Sequence, residues 1–136
     1  MIASPMPLGP FLVGDGGRLE VRRQDSQPGF SFQWRGRRFI VRLASQRLYF
    51  AVPAGRVPST ASGAGRRAQA LALLRTLPQA LQPGWSLRLL PDHRIQLEIE
   101  QHMDWPTTIG ALMAPVIALV MDAAPLLDVM DEDGLA

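Results

Sequence analysis

Alternating apolar and polar residues predict β-strands in the first half of the chain. The aromatic residues of 30-FSFQW-34 fall on one face, as do Phe39, Val41 and Leu43 within 37-RRFIVRL-43. A period of two with aromatic and β-branched residues is typical of a half-buried strand. The stretch 18-RLEVRR-23 alternates in the same way, and 47-RLYFAV-52 is expected to follow as a further strand.

Residue parity predicts how the first hairpin pairs. The aromatic side chains of the two strands share a face only if the numbers of paired residues sum to an odd value. A two-residue turn at 35–36 satisfies this condition and pairs Phe32 with Phe39 and Phe30 with Val41. A slip of one residue would turn arginines into the core. The glycine of the turn supplies the positive φ that tight hairpin turns require.

The second half of the chain mixes helical and strand periodicity. A loop rich in Pro, Gly and Ser over 53–65 leads into a helix over 66–81, which an internal proline is expected to kink or end early. Strands follow over 85–90 and 94–100, and a long helix over 106–130. We therefore predict an α+β fold: an antiparallel sheet of about five to six strands, with a middle helix and a long C-terminal helix packed on it.

The last predicted helix is apolar around nearly its whole circumference. Pro106 suits its first turn, Pro115 is expected to bend it, and Pro125 to break it. The apolar positions are Ile109, Leu112, Met113, Val116, Ile117, Leu119, Val120 and Met121. A helix that is apolar on all sides is expected to be buried on all sides, and one sheet covers only one of them. We therefore expect a second layer, another subunit or a client on the other side.

One hairpin gathers both histidines and several carboxylates of the chain. The stretch 89-LLPDHRIQLEIEQH-102 contains Asp92, His93, Glu98, Glu100 and His102. Its leucines and isoleucines share a face only if the connecting loop has an odd length, and a loop of 91–93 pairs Leu87 with Leu97. The carboxylates then line the solvent face, and the histidines lie at opposite ends of the strand.

This register argues against chemistry in the cluster. A metal site needs three or more converging ligands, and an acid–base pair needs carboxylates in a pocket that perturbs their pKa. The sequence also lacks a nucleophile elbow and a phosphate-binding glycine motif. We predict no catalytic residue, no metal, no cofactor and no enzymatic activity. If the two histidines lay within metal-binding distance of each other, the register would be wrong and a metal site would return.

Composition and length limit the remaining possibilities. The 136 residues fit one domain over 11–130, with a flexible proline-rich arm over 1–10 and an acidic tail over 131–136. Absence of cysteine excludes disulfides and thiolate sites and fits a reducing, cytoplasmic location. The longest apolar run, 109–121, falls short of the ~20 residues that span a bilayer, so no membrane span is predicted.

Charge is distributed unevenly along the chain. All 14 basic residues are arginine, which partly reflects codon usage in a GC-rich genome. Residues 1–75 hold twelve arginines and three acids, a net charge of +9, whereas residues 76–136 carry −7. The stretch 34-WRGRRFIVR-42 interleaves aromatic residues with arginines, as single-strand binders do. A nucleic-acid or acidic-ligand binder that uses this basic sheet is therefore an alternative function.

The order of elements resembles that of the small type III secretion chaperones and their relatives of the secretion-chaperone-like fold. Strand and loop 48-LYFAVPAGRVP-58 precede the middle helix 66-RRAQALALLRTLPQAL-81. The hairpin 85-WSLRLLPDHRIQLEIEQHMDW-105 and the last helix 107-TTIGALMAPVIALVMDAAPLL-127 complete the pattern. The resemblance covers about 60% of the chain and rests on element order and apolar spacing, without a diagnostic motif.

The resemblance implies a cytoplasmic homodimer without catalytic activity, which holds an extended segment of a secreted protein client. By the family's pattern, the middle helix and the adjoining hairpin contribute the dimer interface, here Leu71, Leu74, Trp85 and Leu87. The residues predicted to bind a partner are Trp34, Arg35, Arg37, Tyr49, Val116, Leu119 and Val120. Strand addition is the expected mode of binding, because backbone hydrogen bonds give affinity and side-chain pockets give selectivity.

Overall fold

The protein has a mixed α+β fold, as predicted. The structure, a computed structural model, describes residues 6–21, 28–58, 63–76 and 82–132. The strands are β1 (Met6–Leu8), β2 (Phe11–Val13), β3 (Leu19–Val21), β4 (Gly29–Trp34), β5 (Arg37–Ala44), β6 (Arg47–Arg56), β7 (Ser86–Leu89) and β8 (Arg94–His102). The helices are α1 (Ala64–Thr76) and α2 (Ile109–Glu132). The strands form two antiparallel sheets, of three and five strands.

The register predicted for the first hairpin is confirmed. Phe32 pairs with Phe39, and Phe30 pairs with Val41. Both residues of the turn have positive φ, 54° at Arg35 and 71° at Gly36. This conformation matches the twist of the flanking strands, and the glycine adopts it without steric cost. Parity of the apolar residues therefore sufficed to define this hairpin.

Strand β6 is the centre of the larger sheet, whose order is β4-β5-β6-β8-β7. It continues four residues beyond the end at residue 52 that the sequence pattern predicts, through Pro53 to Arg56. The predicted loop therefore begins later. A bulge between Pro53 and Gly55 accommodates the proline, and β6 continues to pair with β8 beyond it. At the far end of this ladder, Arg56 pairs with Arg94.

One face of the larger sheet carries the hydrophobic core. Fully buried side chains from its three central strands include Phe39, Val41, Leu48, Phe50, Val52, Ile95 and Leu97. Phe39 packs against Phe32 with ring centroids 5.1 Å apart and against Phe50 at 5.6 Å. The opposite face carries polar residues such as Arg42 and Gln96, as the alternation in the sequence predicts.

The small sheet joins the core through two buried residues, Phe11 and Leu19. Phe11 packs edge-on against Phe30, and the Leu19 N–H donates to the Thr107 carbonyl at 2.9 Å. Within the arm predicted over 1–10, Met6–Leu8 forms strand β1. Pairing with β2 supplies the backbone hydrogen bonds that order this segment. Residues 1–5 lie outside the described part of the chain.

Helix α2 starts later than predicted. It begins at Ile109 instead of in the turn containing Pro106, because the Thr108 hydroxyl caps it by accepting from the Ala111 N–H at 3.1 Å. Pro106 precedes the helix and follows a cis peptide bond. The helix then continues through Pro115 and Pro125, so the predicted break at Pro125 is wrong.

The end of α2 also differs from the prediction. Asp131 and Glu132, assigned from the sequence to the acidic tail, form its last turn. Asp131 is held there by an ion pair with Arg37. Residues 133–136 of the predicted tail lie outside the described part of the chain, as do residues 77–81 of the predicted middle helix.

Candidate functional site

The hairpin with the histidines has the predicted three-residue loop. Leu87 pairs with Leu97, and the Leu90 N–H donates to the Arg94 carbonyl at 2.8 Å. His93 lies in the loop with a φ of 66°. His102 ends β8, and at ~3.3 Å per residue the two histidines are about 30 Å apart. Among the described residues, no three His, Asp or Glu side chains come close enough to hold a metal.

The carboxylates of β8 take part in a polar network on the outer sheet face. Glu98 accepts from the Tyr49 hydroxyl at 2.7 Å and from the Gln96 amide at 3.1 Å. Burial, together with the neighbouring Glu98 carboxylate, raises the pKa of Tyr49. The phenol therefore stays protonated at neutral pH and acts as a donor. The arrangement orders the sheet surface and offers no activated nucleophile.

The predicted partner-binding residues of the first hairpin are engaged within the chain. The Arg35 guanidinium lies 4.6 Å from the centre of the Trp34 ring, which also packs against Phe39. Arg35 forms an ion pair with Asp128. An aromatic ring covered by one arginine and packed against the core offers little free face to a nucleic-acid base.

Arg37 is the one charged residue that is buried in the described part of the chain. Its Nη2 atom donates to Asp131 Oδ1 at 2.7 Å and to the Ala54 carbonyl at 3.1 Å, and Nη1 donates to Asp131 Oδ2 at 3.4 Å. The guanidinium holds the pKa of the Asp131 carboxyl below its usual value. Arg37 therefore fastens the end of α2 to the sheet, and this role leaves few of its donors for a partner.

The predicted partner-binding residues of α2 face the core of the chain itself. Val116 and Leu119 are buried, and Val120 is partly buried against the same core, so the chain itself covers these three predicted partner-binding residues. The outer face of α2 instead exposes Ile117 (57%) and Met121 (63%). α2 is long and apolar enough to cross a membrane, although part of its surface is buried in the chain.

A finer pattern in the sequence could have found the buried face of α2. Its buried residues include Leu112, Val116, Leu119, Ala123, Leu126 and Met130, which repeat at alternating spacings of four and three. This is a heptad stripe, whereas the exposed positions of the helix mix alanines such as Ala114 and Ala118 with the larger Ile117 and Met121. The apolar count around the whole helix did not separate the buried stripe from these exposed positions.

The four residues predicted for a dimer interface lie on α1 and at the base of the last hairpin. Leu71, Leu74 and Leu87 are half-buried against the core. Trp85 is buried, packs edge-on against Phe50 at 5.7 Å, and its Nε1 makes no hydrogen bond within the described residues. The Arg67 guanidinium lies 3.3 Å from His93 Nδ1 and so links α1 to the turn of the hairpin.

The outer side of β7 is a free strand edge. Within the described residues β7 pairs with β8 alone, and Leu89 is 45% exposed although it faces the core side of the sheet. Because Leu90 and Arg94 form a hydrogen-bonded pair, alternation along an antiparallel ladder points the backbone groups of Leu87 and Leu89 outward. We call this feature, with the Leu87 and Leu89 side chains, the β7 edge.

Two clefts open beside the larger sheet. One, of about 640 Å³, lies between β3, the β5–β6 turn and residues 103–106. The other, of about 370 Å³, lies where the β4–β5 turn, the bulged end of β6, the start of β8 and the end of α2 meet. Its arginines are Arg35, Arg37, Arg56 and Arg94, and we call it the arginine cleft. Arg35 and Arg37 were among the residues predicted to bind a partner, whereas Arg56 and Arg94 were not predicted, because the β6–β8 pairing joins distant segments.

The comparisons with known proteins leave the structure as the basis for a functional proposal. No family model matches the chain, and neither a curated protein nor a solved structure shows significant similarity to it.

Proposed function

We propose that the protein is a non-enzymatic protein-binding module of the secretion-chaperone-like kind. It works in the cytoplasm as a homodimer and holds an extended segment of a client protein. The single observation that carries this proposal is the β7 edge, where backbone groups that pair with none of the described residues lie beside incompletely buried leucines. Such an edge is a template for another strand, and native proteins usually cover or blunt it.

The size of the β7 edge limits what it can bind alone. Four residues of strand span only about 13 Å, at ~3.3 Å per residue. A stable interface needs about 800 Å² from each partner. The half-buried Leu71 and Leu74 on α1 supply additional apolar area at the same core. We therefore assign the dimer interface to the β7 edge together with these leucines.

The outer face of α2 supports the client-binding part of the proposal. Ile117 and Met121 are exposed beside Ala114 and Ala118 in the part of the helix over 110–125, where Asp122 is the one charged residue, so a client can lay apolar side chains there. The structure contains the elements on which the family resemblance rests, in the same order: a strand, a helix, a hairpin and a long helix. The nucleic-acid alternative is less favoured, because the Trp34 ring packs against Phe39 and so offers little free face for base stacking.

Light scattering at micromolar concentration tests the dimer, with two variants at one position. Leu89→Pro removes an outward N–H donor and leaves the ladder to β8 intact, whereas Leu89→Thr keeps that donor and removes the apolar side chain. We expect a wild-type dimer, a monomeric Leu89→Pro variant with an unchanged circular dichroism spectrum, and a Leu89→Thr variant that dimerises more weakly than wild type. A monomeric wild type would contradict the dimer.

An affinity pull-down from the native host, followed by mass spectrometry, tests the client. Recovery of a protein that Ile117→Asp fails to retain supports client binding on the outer face of α2. Recovery of nucleic acid without a protein client would overturn the proposal in favour of the alternative.

A further inference from the structure

The arginine cleft brings together basic residues that lie far apart in the sequence. Arg35 comes from the β4–β5 turn, Arg37 from β5, Arg56 from the end of β6 and Arg94 from the start of β8. The one carboxylate that lines the cleft is Asp131, and it is bound to Arg37. No part of this site overlaps the β7 edge.

Arg56 and Arg94 lie directly opposite each other in the β6–β8 ladder. Like charges at directly paired positions of an antiparallel sheet destabilise it. Arg56 is exposed and forms no ion pair within the described residues, while Arg94 pairs with Asp92 at 3.1 Å. An anion placed between the two guanidinium groups would replace repulsion with attraction.

The acids around the cleft leave its exposed arginines available. The Arg35–Asp128 and Arg94–Asp92 pairs are both about half exposed. Each pair therefore contributes little to stability, and its arginine can exchange the carboxylate for another anion. The Arg37–Asp131 pair differs, because Arg37 is buried and also donates to the Ala54 carbonyl. Arg37 is therefore held in one position at the side of the cleft, and the side chains of the other three arginines can rearrange around a ligand.

We propose that the arginine cleft binds a phosphate monoester dianion. A volume of about 370 Å³ accommodates a small group such as a phosphate. A phosphate monoester carries about −1.5 to −2 charges and three acceptor oxygens, so it can bridge two guanidinium forks at once. A carboxylate carries one charge and matches a single fork. The opposed pair of Arg56 and Arg94 therefore favours phosphate over carboxylate.

Calorimetric titration with inorganic phosphate, and with acetate as the monoanion, tests the proposal. We expect phosphate to bind at least ten-fold more tightly than acetate. Arg56→Gln should weaken phosphate binding ten-fold or more, and Arg94→Gln should weaken it to a similar extent. Arg42→Gln is the matched control, since Arg42 is an exposed arginine on β5 outside the cleft and removes the same charge. It should change phosphate affinity less than two-fold.

A second measurement reports the position of the bound ion. The side-chain Nε–H signals of Arg56 and Arg94 should shift in NMR spectra on addition of phosphate, and that of Arg42 should not. A peptide carrying phosphoserine distinguishes the sources: tighter binding than phosphate indicates a phosphorylated protein, and weaker binding indicates a free small phosphate. Equal loss of affinity in Arg42→Gln and Arg56→Gln, or equal affinity for acetate and phosphate, would overturn the proposal.

Discussion

The contact between Arg37 and Asp131 should stabilise the fold more than any other ion pair described for the chain. Asp131→Asn removes the negative charge and leaves a guanidinium whose side chain is only 9% exposed. The neighbouring pair of Arg35 and Asp128 is exposed at 40% and 51%. Asp128→Asn is therefore a matched control on the same helix. Both variants remove a carboxylate from the C-terminal part of α2, where it opposes the helix dipole, so this contribution is similar in the two.

The magnitude follows from the exposure of the two partners. Exposed pairs contribute about 0–1 kcal/mol, and breaking a fully buried pair costs about 3–5 kcal/mol. Asp131 is itself 46% exposed, which screens the interaction. We therefore expect Asp131→Asn to lower the free energy of unfolding by about 1–2 kcal/mol, and Asp128→Asn by less than about 0.5 kcal/mol.

The pH dependence has a defined sign. Hydrogen bonding to Arg37, opposed by partial burial and aided by the charges of Arg37 and Arg35, lowers the pKa of Asp131 from its ordinary 3.8. A lowered folded-state pKa gives stability that is present above that ordinary value and is lost as pH falls through the folded-state value. The difference between wild type and Asp131→Asn should therefore be constant near neutral pH and shrink below about pH 4.

Urea unfolding followed by circular dichroism, at pH 7 and at steps down to pH 3, measures both effects. An equal loss of stability in the two variants at pH 7 would refute the argument that burial of Arg37 decides the magnitude. A difference that persists unchanged at pH 3 would refute the assignment to the ionised Asp131 carboxylate.

Three further changes test the packing and the turns, each by chemical or thermal unfolding. Thr108→Ala should cost about 1 kcal/mol by removing the cap of α2, and Thr108→Ser should keep most of that stability. Leu127→Ala, at a fully buried position, should cost about 2–5 kcal/mol, whereas Ile117→Ala on the outer face of the helix should cost less than about 0.5 kcal/mol. Gly36→Ala should lower the free energy of unfolding by about 1 kcal/mol, and the cause is the φ of 71° alone, since no atom lies near the added methyl group. Gly65→Ala in α1 also has open space for the methyl group and should not destabilise the fold. Equal effects within either of the last two pairs would contradict the conformations and burial described above.

Local features of the fold were predictable from the sequence because they depend on nearest neighbours in the chain. Parity of Phe32 and Phe39 defined one hairpin, and parity of Leu87 and Leu97 defined the other. The backbone conformation of the tight turn between β5 and β6 was not predicted. Ser45 and Gln46 both adopt positive φ there without a glycine, and the Gln46 side chain is held by the backbone of Trp105.

Long-range pairing was the part that the sequence did not reveal. Nothing local indicates that β6 continues past Pro53, or that Arg56 comes to face Arg94. The same limit applies to the ion pairs of Arg35 and Arg37, whose acids lie on the last helix. Both arginines were predicted to bind a partner, and the carboxylates that engage them became visible only once α2 was placed on the sheet.

The position of β6 between β5 and β8 has a consequence for synthesis of the chain on the ribosome. The edge of β6 that pairs with β8 stays unpaired during synthesis until α1, β7 and then β8 have been made. At about 5–20 residues per second, a nascent chain exposes this edge for several seconds. Chains stalled before β8 should therefore be cleaved readily by protease and captured by holding chaperones, and chains stalled beyond α2 should resist both.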